Sequence, residues 1–145
     1  MQIDIQVTGI HEAIAKLQSI ANKAKNLTPV HRHIGNIIQN SIEESFEKEA
    51  SPFGSRWTPS KKPSGKTLTD KGTLSSSFTV NASRDNVTVG TNLPYAAVHQ
   101  FGGQAGRKRS VKLDARPFLP VSNSGELEKG VRGEILEYLV KKLGD

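Results

Sequence analysis

Cysteine is absent from the sequence, which excludes disulfides, thiol nucleophiles and thiolate metal ligands and fits assembly in a reducing cytosol. Aromatic residues are scarce at 6%, with a single tryptophan, and the hydrophobic fraction is 34%. That composition predicts a modest core with long surface loops. No uninterrupted apolar run approaches membrane length, so a membrane is not expected as a partner. The first residues, Met1 to Val7, alternate polar and apolar and include Asp4, and no basic-then-apolar leader is visible. A soluble protein is therefore expected. The 145 residues suit one domain over 1–145, large enough to bury about two thirds of its unfolded surface.

Basic residues, by contrast, are plentiful: 20 Lys and Arg against 14 Asp and Glu, a formal net charge of +6. They concentrate in two stretches. Positions 50–72 hold Arg56, Lys61, Lys62, Lys66 and Lys71 against Asp70, and positions 103–116 hold Arg107, Lys108, Arg109, Lys112 and Arg116 against Asp114. The rest of the chain is net acidic, with Glu43, Glu44, Glu47 and Glu49 clustered. Such polarisation suits head-to-tail association, because a patch of one sign can meet a patch of the other on a second copy. Contact with nucleic-acid phosphates, without sequence reading, is the alternative for the same cations. Residues 103–112 contain no aromatic side chain, so base stacking is not expected there.

Ile3, Ile5 and Val7 show the period of a half-buried strand. From Ile10 the spacing becomes helical and runs to Asn26. Thr28 as cap and Pro29 in the first turn open a second helix with Val30, Ile34, Ile37, Ile38, Ile42 and Phe46 on one face. Its glutamate-rich end opposes the helix dipole and calls for a cation nearby. Periodicity vanishes from about 50 to 72, predicting a flexible, irregular arm anchored by Trp57. Leu74 to Ala82 alternates and, with a turn at Arg84-Asp85-Asn86 and a return through Val87 and Val89, predicts an antiparallel hairpin. A basic loop follows at about 103–112, with a strand at Ser110 to Leu113. The last helix is expected to open around Asn123 or Ser124, with Leu127, Val131, Ile135, Leu139 and Leu143 as its stripe. The expected fold is α+β, a small antiparallel sheet packed against long α-helices with long basic loops, in the order β-α-α-β-β-short α-β-α.

The searched motifs yield little chemistry. Gly65-Lys66-Thr67 lacks the glycine five positions earlier, where Ser60 stands, and the preceding strand that a phosphate loop needs. His31 and His33, two apart on a helix, point about 200° from each other and have no third ligand near in sequence, so they read as solvated. Glu43, Glu44 and Glu47 lack the apolar cleft that would raise one pKa, so they read as a solvated or interfacial charge run. No metal, cofactor or catalytic residue is expected.

The densest pattern is Tyr95-Ala-Ala-Val-His-Gln-Phe-Gly-Gly103 followed by Arg116-Pro117-Phe118-Leu119. Pro94 fixes entry to a short helical turn, expected to bury Tyr95, Val98 and Phe101 and to present His99 and Gln100, before Gly102 and Gly103 end it. Arg116 before Pro117 is biased to extended backbone, letting Phe118 and Leu119 cross the same apolar patch, where the core is their default reading. His99 is expected to make a structural hydrogen bond, within its own fold or to a neighbouring subunit, rather than to catalyse. Trp57 reads equally as a lid on its own core and as an intersubunit anchor.

These runs resemble the signature of the phage virion morphogenesis family, the tail completion proteins of Mu-like phages and prophages. Pro52-Phe53-Gly54-Ser55-Arg56-Trp57 and Leu68-Thr69-Asp70-Lys71-Gly72-Thr73-Leu74 resemble two further family elements, in the family's order. Pro120 departs from the glycine that commonly follows the arginine-proline-phenylalanine-leucine run. The resemblance implies a structural, non-enzymatic part in tail completion and head–tail joining. It implies the tail tube or terminator and head–tail connector proteins as partners, and a place at the head-proximal end of the tail after assembly in the host cytoplasm. An oligomeric ring suits it. The residues expected at subunit or partner interfaces are Trp57, Tyr95, His99, Gln100, Phe101, Arg116, Phe118, Glu43, Glu44 and Glu47. Lys61, Lys62, Lys66, Arg107, Lys108, Arg109 and Lys112 are expected to make the basic-loop contacts, to acidic protein or non-specifically to DNA.

Overall fold

The computed structural model describes residues 11–60, 66–69 and 72–144, so the strand expected at Ile3 to Val7 and the calls on Lys61 and Lys62 lie outside the described residues. Helix α1 spans His11–Ala24 and α2 spans Thr28–Lys48. Thr28 is not the cap that its residue type suggested. Leu27 occupies that position with no side-chain bond, while the Asn26 amide oxygen reaches two residues forward to accept the Thr28 N–H at 3.2 Å.

Strands β1 (Thr79–Ala82) and β2 (Val87–Gly90) pair antiparallel in the register Thr79↔Gly90 to Ala82↔Val87, and this ribbon packs on α2. Two side chains of the helix fasten it: Gln39 Nε2 donates to the Phe78 carbonyl and His31 Nδ1 donates to the Ser83 carbonyl, both at 2.8 Å. His31 is thus a clasp rather than a solvated residue. Gly35 makes the close approach feasible, because a Cβ there would stand 2.3 Å from Val80 Cγ1 and 2.8 Å from Val87 Cγ2. Both methyls belong to side chains that are stiff at χ1. Gly35→Ala is therefore expected to destabilise by about 1–3 kcal/mol through overpacking, despite alanine's better helix propensity. Adding Val80→Ala should recover part of that loss in parallel thermal melts.

The strand expected from Leu74 starts only at Thr79. Ser76 Oγ donates to the Gly72 carbonyl and Ser77 Oγ to the Leu74 carbonyl at 2.7 Å, so serine side chains fold residues 72–77 into turns that compete with a ladder. Leu74 is buried all the same.

Helix α3 (Ala96–Phe101) leads into β3 (Gly103–Ala105), which pairs with β4 (Val111–Leu113) in the register Gly103↔Leu113 to Ala105↔Val111. The expected basic loop is thus a hairpin, and only its tip, with a 3-10 turn at Arg107–Arg109, is irregular. Gly102 is required at its base: φ is +75°, and a Cβ would meet the Ala115 nitrogen at 2.9 Å.

Helix α4 (Lys129–Gly144) begins later than expected because residues 121–127 form their own small loop. Val121 and Leu127 bridge, and Ser122 accepts the Gly125 N–H on its carbonyl and the Glu126 N–H on its hydroxyl. The Glu128 carboxylate then accepts the Val131 N–H at 2.9 Å and supplies the start of the helix. Of the predicted stripe, Val131 and Ile135 are buried against Ile37 of α2, with Leu139 and the pre-helix Leu127 packed beside them. His33 stacks on Tyr138 with centroids 3.8 Å apart, so it too has a packing role. The fold is α+β, as the element pattern predicted, with two small antiparallel ribbons set among the helices.

Candidate assembly interface

The signature segments meet around one aromatic cluster. The Phe118 ring lies 5.5 Å from Phe46 of α2 and 5.2 Å from Phe78, and Trp57 stands edge-on to Phe46 at 5.4 Å. The polar atoms of the same segments lock them together. Trp57 Nε1 donates to the Pro117 carbonyl at 2.8 Å, and Arg116 Nε donates to the Thr58 carbonyl at 2.8 Å. The Arg116 backbone N–H donates to the His99 carbonyl at 2.7 Å. Gln100 Oε1 accepts both the Phe118 N–H at 2.8 Å and the Leu119 N–H at 3.0 Å. Without a strand partner those two amides need an acceptor, and the glutamine provides one inside the protein.

That bond turns α3 opposite to the expectation from its apolar spacing. Gln100 is buried at 7% exposure, whereas Tyr95 is 43% and Phe101 64% exposed. His99 is half-buried, and its Nδ1 has no hydrogen-bond partner, so the bond expected of its ring is missing at that atom. Burial pushes the His99 imidazole below its ordinary pKa of 6.5, and the Arg116 charge adds to the shift. Among the residues expected at interfaces, Trp57, Gln100 and Phe118 are thus placed inside this chain's own core. Tyr95, Phe101, Glu43, Glu44 and Glu47 are exposed, while His99 and Arg116 are half-buried.

The described parts of the 50–72 arm are likewise held on their own body. Glu49 ends α2 in a left-handed conformation, φ 52°, and its carbonyl accepts the Trp57 N–H while its carboxylate accepts the Thr67 N–H at 2.6 Å. Lys66 reaches the Glu47 carboxylate at 2.7 Å, the cation that the glutamate-rich helix end called for. Lys66 and Thr67, which mimicked a phosphate loop in sequence, thus serve as fasteners. Glu44 pairs with Lys48 one turn on.

These bonds have a pH signature. The hydrogen bonds from Thr67 hold the Glu49 carboxyl below the ordinary 4.5, and those from Gly130 and Val131 do the same for Glu128. A depressed folded pKa means the unfolded chain binds more protons, so stability rises with pH across the gap. The glutamate contributions are complete above about pH 4.5 and lost as pH falls through the folded values. The His99 contribution begins to fall below pH 6.5. Urea midpoints measured from pH 3 to 8 should show both declines. Glu49→Gln should flatten the lower limb and His99→Gln the upper.

Two concave surfaces flank the turn at Ser51 to Gly54. One is an apolar groove of about 310 Å³ lined by Phe53, Phe101, Pro117, Leu119 and Val121, with Phe53 itself 50% exposed. The other is a cleft of about 540 Å³ between α2 and α4, lined by Glu44, Glu128 and Glu134 with Lys48. Phe53 and Glu134 were missed in the sequence. A second aromatic beside Trp57 in a largely polar arm was the available signal for the first; Glu134 gave none. Arg107, Lys108, Arg109 and Lys112 are exposed on the β3–β4 hairpin, and none of their side chains makes an ion pair or hydrogen bond among the described residues. Among the described residues no group of three His, Asp or Glu could hold a metal, and no helix is long and apolar enough to cross a membrane.

The motif residues interlock main chain and aromatic rings around Phe118. The chain belongs to the phage virion morphogenesis family, whose profile matches residues 6–143. It is 34% identical over 126 residues to the Mu-like prophage FluMu G protein 2 of Haemophilus influenzae, covering 87% of this chain and 89% of that protein. It is 26% identical over 141 residues to a protein named for capsid assembly, protein G of Escherichia phage Mu, covering 88% of each. No solved structure matches the chain significantly.

Proposed function

We propose that this chain completes the phage tail and joins it to the head, acting as an oligomeric ring at the tail's head-proximal end. The coarser role, a structural part in building phage particles, follows from family membership. The observation that carries the finer reading is the division of the signature: Trp57, Gln100 and Phe118 rigidify the body, while Phe53, Phe101 and the basic hairpin stand outside it. A rigid body with exposed aromatic and cationic extensions suits assembly onto other subunits. Its partners on this reading are further copies, the tail tube or terminator protein, and head–tail connector proteins. Ring closure follows from head-to-tail contacts whose rotation returns on itself.

Electron microscopy of particles made without this protein tests the reading. Tails of normal appearance lying free of filled heads are expected, whereas absent tails or unfilled heads would move its action elsewhere. The four hairpin cations, which have no partner among the described residues, favour one second reading, non-specific grip on DNA phosphates. Duplex affinity falling steeply with salt, and lost on neutralising Arg107, Lys108, Arg109 and Lys112, would support it.

A further inference from the structure

We propose that the β3–β4 hairpin docks into the α2–α4 cleft of a second copy of this chain, cations against carboxylates. The inference rests on the reading that the chain self-associates, and it names the two surfaces that meet.

The hairpin is poorly supported by its own chain. Its strands are three residues long, neither outer edge has a ladder partner among the described residues, and only Ala105 and Leu113 of its strand side chains are even half-buried. A two-stranded ribbon of this size is at best marginally stable in water without something to pack on. At its tip Lys108 and Arg109 adopt left-handed backbone, φ 59° and 54°, a conformation uncommon outside glycine that needs surrounding structure to sustain it. Val111, two residues beyond, is a 48% exposed apolar side chain. The hairpin therefore offers a basic end and an exposed apolar flank, and its four cations have no side-chain partner among the described residues.

The turn at Ser51 to Gly54 offers the complement. On one side lies the cleft, where Glu134 stands with Glu44, which pairs with Lys48, and Glu128, which accepts the Val131 N–H. On the other lies the apolar groove rimmed by Phe53, and Ser51 lines both. The two surfaces adjoin at the Ser51 to Gly54 turn, an arrangement in which Arg107 to Arg109 would enter the cleft and Val111 would lie against Phe53. Phosphate would satisfy the cations but leave Val111 and Phe53 unpaired, so acidic protein surface is the better fit. The contact is heterologous, hairpin to cleft, and leaves each copy with one free hairpin and one free cleft until the ring closes.

The absence of native cysteine allows a direct test. Lys108→Cys and Glu134→Cys are prepared separately, mixed and oxidised. A covalent dimer is expected from the mixture and none from either variant alone, because like positions never meet in a head-to-tail contact. Arg107→Glu with Arg109→Glu should weaken self-association at least tenfold at low salt, and adding Glu44→Lys with Glu134→Lys should restore most of it. If wild-type chains self-associate in sedimentation but the mixture yields no cross-link, this placement of the hairpin is wrong while the ring reading stands. If wild-type chains sediment as monomers at every concentration, the self-association reading itself fails, and this inference with it. If the charge-reversed hairpin self-associates normally but no longer retains duplex DNA, the cations face phosphates and the proposal is overturned.

Discussion

Replacing Phe118 with alanine is expected to lower stability by about 3–5 kcal/mol, the range for deleting a large buried aromatic side chain. Phe118 is 2% exposed and touches the rings of both Phe46 on α2 and Phe78 beside β1, so its loss opens a cavity between elements far apart in sequence. Helix and hairpin cannot close that space without moving the Gly35 contact, where Val80 and Val87 already leave no room for a Cβ. The denaturant midpoint should fall at an unchanged slope, the mark of a stability change within a cooperative fold. Phe101→Ser is the matching control. At 64% exposure it should shift stability by no more than about 0.5 kcal/mol, whatever it does to assembly.

Gln100→Leu should cost nearly as much although it preserves volume. A volume-conserving apolar swap is ordinarily tolerated within about 1.5 kcal/mol. Here it strips the acceptor from the Phe118 and Leu119 amides, at about 1–3 kcal/mol for each N–H left unsatisfied. A measured loss within that tolerated range would mean that those amides find another acceptor, and the claim that Gln100 orders the Arg116 to Leu119 run would fail. Amide exchange at Phe118 separates the cases, since its protection should drop well below that of the surrounding core.

The contrast between these residues shows what the sequence made legible. The α2 stripe from Val30 to Phe46 and the α4 stripe from Val131 to Leu139 could be read because helical burial is periodic, and so could the β1–β2 hairpin. The orientation of α3 could not, because it is set by amides 18 and 19 residues away that capture Gln100, and no local pattern encodes that partner. Leu74 was correctly apolar and wrongly extended, since Ser76 and Ser77 divert the backbone into turns. Strand β3 was hidden because Gly103-Gln104-Ala105 has no apolar alternation and gains its ladder only from Val111 to Leu113. The arm at 50–72 was read as flexible and anchored by Trp57 alone, yet Glu47 and Glu49 also hold its Lys66 and Thr67, which the sequence offered only as a basic-loop contact and a false motif. The proposed interface was legible only as charge. Signs and their clustering were on the page, but the cleft beside Ser51 arises from the packing of α4 on α2.

Trp57 is the sole indole of the chain, and it sits where three separate stretches join: its ring against Phe46, its Nε1–H on the Pro117 carbonyl, its backbone on Glu49. Ultraviolet emission excited at that chromophore consequently reports one event alone, the closure of this joint. A red shift on dilution, warming or acidification would time the undoing of the knot separately from the melting of the helices.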